Sequence, residues 1–318
     1  MQKIGSDFKG KDILSLDQFD PQSLTALFTT VDILAPIAKE AKPSDILKGN
    51  IVTLLFFEPS SRTFGSFSGA IKRLGGQTID VQDPIRVSSV AKGETLSDTI
   101  KVFESYCDAI VIRHPEIGAP RKAAEAAFFV PVINAGDGTG EHPTQALMDL
   151  YTLNKRFGRL DSLTALMAGD ILNGRTVHSL IRGLSHYKNN TVYLLSPEKL
   201  KLQRQDFADL SKRGIKLIEI TSEQDIPKDT QFWYWTRVQK ERFSNLEEYE
   251  KLKHSFIVTP ELLSKYGTKD MVLMHPLPRV GEITTEVDDD PRAIYLTDQL
   301  RNGKYMRMAL MALVLGKM

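Results

Sequence analysis

The chain of 318 residues contains a single cysteine, Cys107, so it can form no internal disulfide and no thiolate metal cluster. That scarcity fits a reducing compartment. Neither sign of charge is in excess: 41 Lys and Arg stand against 40 Asp and Glu, a formal net charge of +1, which argues against a nucleic-acid partner or a polybasic membrane surface. No apolar run approaches the ~20 residues that a membrane helix requires, and the opening "MQKIGSDFKGKD" lacks the apolar centre of a signal peptide. The expected location is therefore cytoplasmic. No Gly-x-Gly-x-x-Gly follows the first strand-like run of either half, and Walker A, nucleophile-elbow and metal-spaced His patterns are absent too. No cofactor and no metal are expected.

What is there is an ordinary globular composition, 42% hydrophobic and 25% charged, in a chain long enough for two domains at ~150 residues each. Asp20 and Pro21 open a helix whose Leu24, Leu27, Phe28, Val31 and Leu34 recur on one face. "IVTLLFF" then reads as a buried strand, followed by a helix through Phe64, Phe67, Ile71 and Leu74 that stops at Gly75-Gly76. "QTIDV", "DAIVIR" and "FFVPVINAG" repeat the alternation, as do "LTALMAGD", "TVYLLS", "IKLIEI", "QFWYWTR" and "MVLMHP" after Gly158. Strands alternating with helices imply parallel sheets. The expected fold class is α/β, with two doubly wound parallel-sheet domains over residues 1–149 and 150–292 and a final helix at about 293–318 packing back on the first.

In such sheets ligands bind beyond the carboxyl ends of the strands. "EPSSRT" puts Ser60, Ser61, Arg62 and Thr63 between a strand and a helix, where backbone N–H groups, hydroxyls and a guanidinium suit a phosphate-sized anion. Taken alone, the same residues read more readily as a helix cap beside a solvated arginine. "RHPEIG" offers Arg113 and His114, and "GDGTGEHPTQ" offers His142, Thr144 and Gln145, a donor and an amide suited to a carbonyl group. "VSSVAKGET" carries Ser88 and Lys92 on what otherwise reads as a surface loop. In the second half, Arg175 after Gly174 and Arg237 with Gln239 could grip two carboxylates, or could be exposed loop side chains. "HPLP" sets Pro276 and Pro278 around Leu277, and because proline donates no N–H the turn presents carbonyl oxygens, which suit an NH2 group.

Seven segments, "FFEPSSRT", "SSVAKGET", "RHPEIG", "NAGDGTGEHPTQALMDL", "GDILNGRTVHSL", "TRVQKERF" and "HPLPRVGEITTEVDDDPRA", occur in one order over residues 56–293 and closely resemble aspartate carbamoyltransferase catalytic chains. The resemblance implies transfer of a carbamoyl group from carbamoyl phosphate to the α-amino group of L-aspartate, an early step of pyrimidine synthesis. Ser60, Ser61, Arg62 and Thr63 would hold the phosphate. Thr63, Arg113 and His142 would face the carbonyl oxygen, and Gln145 with the Leu277 and Pro278 carbonyls would hold the amino group. Arg175, Arg237 and Gln239 would bind aspartate. Ser88 and Lys92 would be lent by the neighbouring chain of a homotrimer, Lys92 also contacting aspartate; regulatory chains or a higher assembly are left open. The rival readings are an ornithine carbamoyltransferase, disfavoured because that family reads His-Cys-Leu-Pro where this chain has "HPLP", and a non-catalytic relative, disfavoured because the whole residue set is present. Phe64 and Ser68 depart from the family, which commonly carries Arg and Glu there.

Overall fold

The computed structural model describes residues 2–87 and 89–318. Strands β1 (Ile51–Phe56), β2 (Gln77–Gln82), β3 (Ala109–His114) and β4 (Val132–Asp137) form one parallel sheet in the order β2-β1-β3-β4. Strands β5 (Thr164–Ala168), β6 (Thr191–Leu195), β7 (Lys216–Ile220), β8 (Phe232–Trp235) and β9 (Val272–Met274) form a second, in the order β7-β6-β5-β8-β9. The helices of the first half are α1 (Pro21–Lys39), α2 (Ser61–Arg73), α3 (Pro84–Val87), α4 (Leu96–Glu104), α5 (Ala119–Ala126) and α6 (Pro143–Phe157). Those that follow are α7 (Arg175–Leu184), α8 (Arg204–Ser211), α9 (Leu246–Leu252), α10 (Pro260–Tyr266) and α11 (Asp298–Val314). The chain divides into two compact units, residues 1–151 with 301–318, and residues 152–300.

In the first unit α1 begins as its sequence dictates: the Asp20 carboxylate accepts from Ser23 N–H at 2.8 Å, and the Ser23 hydroxyl accepts from Asp20 N–H at 2.8 Å. Its apolar stripe, Leu24, Leu27, Phe28, Val31 and Leu34, is buried. Beneath the sheet Leu55, Ile110, Ile112 and Val132 pack with Ile100 of α4 and Ala123 of α5. In the second unit Leu166, Trp233, Trp235 and Leu273 pack with Leu262, Leu263 and Tyr295. Trp233 donates to Thr230 and Trp235 to the Phe256 carbonyl, so neither indole N–H is left buried without a partner.

One expectation changes. The final helix is Asp298–Val314, because residues 293–294 are drawn onto the second sheet: Leu273 donates to the Arg292 carbonyl at 2.7 Å and Ile294 to the Leu273 carbonyl at 3.0 Å. Cys107 is half-buried just past α4, its thiol donating to the Phe103 carbonyl at 3.2 Å. Among the described residues no helix is long and apolar enough to cross a membrane.

Candidate active site

Both strand orders reverse direction once, β1 leading to β2 on one side and β3 on the other, β5 leading to β6 on one side and β8 on the other. A crevice opens where such a reversal occurs, beyond the carboxyl ends of the two diverging strands. Ser60, Ser61, Arg62 and Thr63 follow β1 and Arg113 ends β3 in the first unit; Arg175 follows β5, and Arg237 and Gln239 follow β8, in the second.

In the first unit β1 runs into Glu58-Pro59-Ser60 and α2 starts at Ser61. Ser60 occupies the N-cap position without making a side-chain cap, so its hydroxyl is not spent on its own helix. Ser61 and Arg62 are exposed, whereas Thr63 is buried. The first-turn N–H groups and the positive end of the helix dipole favour an anion at this turn. Phe64, a departure from the family pattern, stacks edge-on against Phe56 at 5.3 Å, which makes it part of the wall under the turn.

Arg113 ends β3 and is buried, with its guanidinium 2.9 Å from the Glu58 carboxylate and donating to the Ala135 carbonyl at 3.3 Å. A buried arginine requires such a counter-charge. The pair also ties the end of β1 to the end of β3, beside the backbone bond from Phe57 N–H to the Arg113 carbonyl. His114, the neighbour, is structural: its Nδ1 accepts from Glu116 N–H at 3.0 Å, its ring packs on Phe57 at 4.6 Å, and burial pushes it below the ordinary histidine value.

The loop from β4 into α6 is organised by Asp137, whose carboxylate accepts from Gly118 N–H at 2.8 Å and Glu141 N–H at 2.7 Å. Gly138 is left-handed at φ +50°, and a Cβ there would lie 2.4 Å from the Pro115 carbonyl, so only glycine fits. Glu141 in turn accepts from the Ser15 hydroxyl at 2.6 Å and Leu16 N–H at 3.2 Å. This scaffold delivers His142, Thr144 and Gln145, all buried, at the mouth of α6. The Gln145 amide donates to both oxygens of Asp149, each at 3.2 Å, one helical turn on. Lys92 ends the 3-10 turn Ser89–Lys92 and is exposed. Ser88 lies outside the described residues.

In the second unit Gly169 lets β5 and β8 converge: at φ +110°, a Cβ would come within 2.0 Å of the Thr236 carbonyl. Asp170, wholly buried, accepts from Asn173 N–H at 3.0 Å, from the Asn173 amide, and from Gln239 N–H at 3.2 Å. Gln239 returns a bond from its own amide to the Asn173 carbonyl at 2.8 Å. The loop carrying Arg175 is thus fastened to the loop carrying Arg237 and Gln239. Arg175 is the first residue of α7, and Arg237 is held as a fork against the Glu241 carboxylate, one contact at 3.0 Å.

Leu277 and Pro278 follow β9 and are joined by a cis peptide, Leu277 at φ +55°. His275 Nδ1 accepts from Leu277 N–H at 2.8 Å, so the neutral ring carries its hydrogen on Nε2, 2.7 Å from Glu282. Glu282 also accepts from Val280 N–H at 2.9 Å. The turn is thereby clasped at both ends.

Sequence reasoning missed the partners, Glu58, Asp149, Asp170, Glu241 and the His275–Glu282 pair. Only Asp149 and Glu241 carried a local signal, each four residues after the side chain it holds, Asp149 one turn on along α6.

Two open parallel sheets, each with polar and cationic side chains at its reversal point, define a two-unit α/β protein built to hold two small polar ligands. The chain matches the description "Aspartate/ornithine carbamoyltransferase, carbamoyl-P binding domain" over residues 11–155 and "Aspartate/ornithine carbamoyltransferase, Asp/Orn binding domain" over residues 161–314. It is 45% identical over 313 residues to the aspartate carbamoyltransferase catalytic subunit of Hyperthermus butylicus, covering 98% of each chain. It is 48% identical to the multifunctional protein pyr1-3 of Dictyostelium discoideum over 96% of its own length, which spans 14% of that protein. Its fold is similar to aspartate transcarbamoylase from Trypanosoma cruzi in complex with carbamoyl phosphate and aspartate, with TM-score 0.89 and 36% identity over 98% and 99% of the two chains. The catalytic subunit of M. jannaschii aspartate transcarbamoylase gives TM-score 0.87 and 42% identity over 95% and 97%. The chain belongs to the aspartate/ornithine carbamoyltransferase family.

Proposed function

We propose that the chain is an aspartate carbamoyltransferase that converts carbamoyl phosphate and L-aspartate into N-carbamoyl-L-aspartate and phosphate. The observation that carries this is the pair of reversal points: a hydroxyl-rich helix start with Arg113, His142 and Gln145 at one, and two arginines on fastened loops at the other. Residues 1–149 serve as the carbamoyl phosphate domain and 150–292 as the aspartate domain. Ser60, Ser61, Arg62 and Thr63 hold the phosphate; Thr63, Arg113 and His142 donate to the carbonyl oxygen; Gln145 and the Leu277 and Pro278 carbonyls accept from the amino group. Arg175, Arg237 and Gln239 take the two carboxylates, for which guanidinium forks suit better than they would the cationic side chain of ornithine.

The uncharged amine of aspartate attacks the carbonyl carbon, forming the C–N bond as charge grows on oxygen. Collapse breaks the C–O bond to phosphate, which leaves with the electron pair and takes the amine proton. No covalent enzyme intermediate is required, so the protein contributes positioning and electrostatic stabilisation. Assay of the purified chain with carbamoyl phosphate and either amino acid tests this, and activity with ornithine alone would overturn it.

Lys92, exposed on its own unit, and Ser88 act on the site of a neighbouring chain in a homotrimer located in the cytoplasm. A mass in solution three times the 35.7 kDa chain is expected. Mixing inactive Lys92→Ala and Arg62→Ala proteins under exchange should restore activity; a monomeric, active enzyme would refute the shared site.

A further inference from the structure

The family reading accounts for Gln145 but not for what aims it. Both oxygens of Asp149 lie 3.2 Å from the Gln145 amide nitrogen, and Asp149 has no exposed surface. An ionised carboxylate can only accept, so it fixes which end of the amide it meets: Nε2 turns toward Asp149 and Oε1 turns away. The flipped amide would set oxygen against oxygen in a buried site, where an unmatched polar contact is costly. An opposing charge comes from Arg307 on α11, itself buried. Arg307 donates to the Gly303 carbonyl at 2.9 Å and the Ser66 hydroxyl at 3.1 Å, and its guanidinium lies over the Phe67 ring at 5.1 Å. Burial pulls its pKa down to about 10, with the Asp149 charge working the other way, so it remains a cation at neutral pH.

We propose that Asp149 is the specificity-positioning residue of the first unit: by locking the Gln145 amide oxygen-outward, it makes the site demand a donor NH2 on the acyl phosphate and reject a methyl group. This rests on the function proposed above, and it names the discrimination that the geometry creates. Carbamoyl phosphate and acetyl phosphate share the phosphate and the carbonyl oxygen and differ only in NH2 against CH3. An acceptor facing the methyl group would be left desolvated and unpaired. Were position 149 an asparagine, its amide could donate as readily as accept, and Gln145 could turn either way.

The test compares the two acyl phosphates on the full-length protein, taking the inhibition constants of acetyl phosphate and inorganic phosphate against carbamoyl phosphate at saturating aspartate. The wild type is expected to prefer carbamoyl over acetyl phosphate by about 100-fold or more. Asp149→Asn should shrink that preference by about tenfold, the scale of one buried hydrogen bond made optional. Its inorganic phosphate affinity should stay within about twofold, since the anion turn is untouched. Asp149→Ser, whose hydroxyl can likewise donate or accept, should do the same and serves where the asparagine variant does not fold. An unchanged preference in the variants overturns the proposal. So does an equal loss for carbamoyl phosphate, acetyl phosphate and phosphate, which would mark Asp149 as structural. If the wild type makes no carbamoyl aspartate, the proposed function fails; the same preference measured by calorimetric binding still decides the role of Asp149.

Discussion

In the first unit Arg113 and Gln145 are buried and held by carboxylates, Glu58 and Asp149, while Ser61 and Arg62 stay exposed at the anion turn; in the second, Arg175, Arg237 and Gln239 ride on loops fastened mainly through Asp170. The difference follows from what each unit has to hold. A carbonyl and an NH2 group are recognised by dipoles whose direction matters, and direction is kept by burial and by partners that can only accept. A dicarboxylate is recognised by charge, which tolerates partly exposed arginines provided that the loops bearing them keep their spacing. The first unit is therefore expected to fail through chemistry when altered, and the second through binding.

The largest effect should come from Arg62→Ala. Removing a donor that stabilises developing charge typically costs 10²–10³ in turnover, about 2.7–4 kcal/mol. Because Arg62 is exposed at the start of α2, thermal unfolding should move by no more than about 0.5 kcal/mol, the usual range for surface positions. Near-normal turnover would remove the anion from this turn. Arg237→Ala should act differently: the KM for aspartate rises, with a loss in kcat/KM of about 2–5 kcal/mol, while carbamoyl phosphate binding is unaffected. Glu241→Gln, which keeps the size of the partner and removes its charge, should produce a smaller shift in the same direction, about 1–2 kcal/mol. An Arg237 variant that lost carbamoyl phosphate affinity as well would erase the contrast between the units.

What could be read directly from the chain was periodic or local. The alternation of β-rich runs with amphipathic helices specified two parallel sheets, Asp20 with Pro21 marked the start of α1, and "EPSSRT" marked a helix N-terminus suited to an anion. The strand orders were not readable, since which strand lies beside β1 depends on crossovers and not on the residues of β1 itself. Without those orders the reversal points could not be located. Nor could the pairing partners be found: Glu58 meets Arg113 across 55 residues, and Arg307 reaches Ser66 across 241. Residues 293–297 misled because Ala293 and Tyr295 are apolar, as a helix face would be, yet they are buried against the second sheet instead.

A third expectation uses pH to separate the units. His275, in the second, is held below its ordinary 6.5 by burial, with Glu282 opposing, and His178 of the same unit is lowered chiefly by burial as well. A histidine depressed on folding contributes stability that is complete above its unfolded value and lost as pH falls through its folded one. His114 in the first unit shifts the same way. The protein should therefore lose stability from about pH 6.5 downward, with the second unit, which carries two of the three, losing more protection in hydrogen exchange. His275→Asn should flatten part of that slope. A slope that steepens in the variant would mean that the clasp on the Leu277 turn is held by a charged imidazole.

The smallest effect belongs to Cys107, and it sharpens the contrast within the first unit between the two ends of a strand. Cys107 precedes β3, while Arg113 stands at its far end, and at about 3.3 Å per residue the two backbones are about 20 Å apart. Burial pushes the thiol above its ordinary value, so at neutral pH little thiolate is present to react. Its bond to the Phe103 carbonyl keeps it at the end of α4, against the amino edge of the sheet. Slow labelling by a thiol reagent is expected, and the labelled enzyme should retain turnover to within about twofold, because changes at sites this far apart usually act independently. Rapid labelling with loss of activity, prevented by carbamoyl phosphate, would instead place the thiol in communication with the ligand and would show that the amino edge of this sheet is not a passive one.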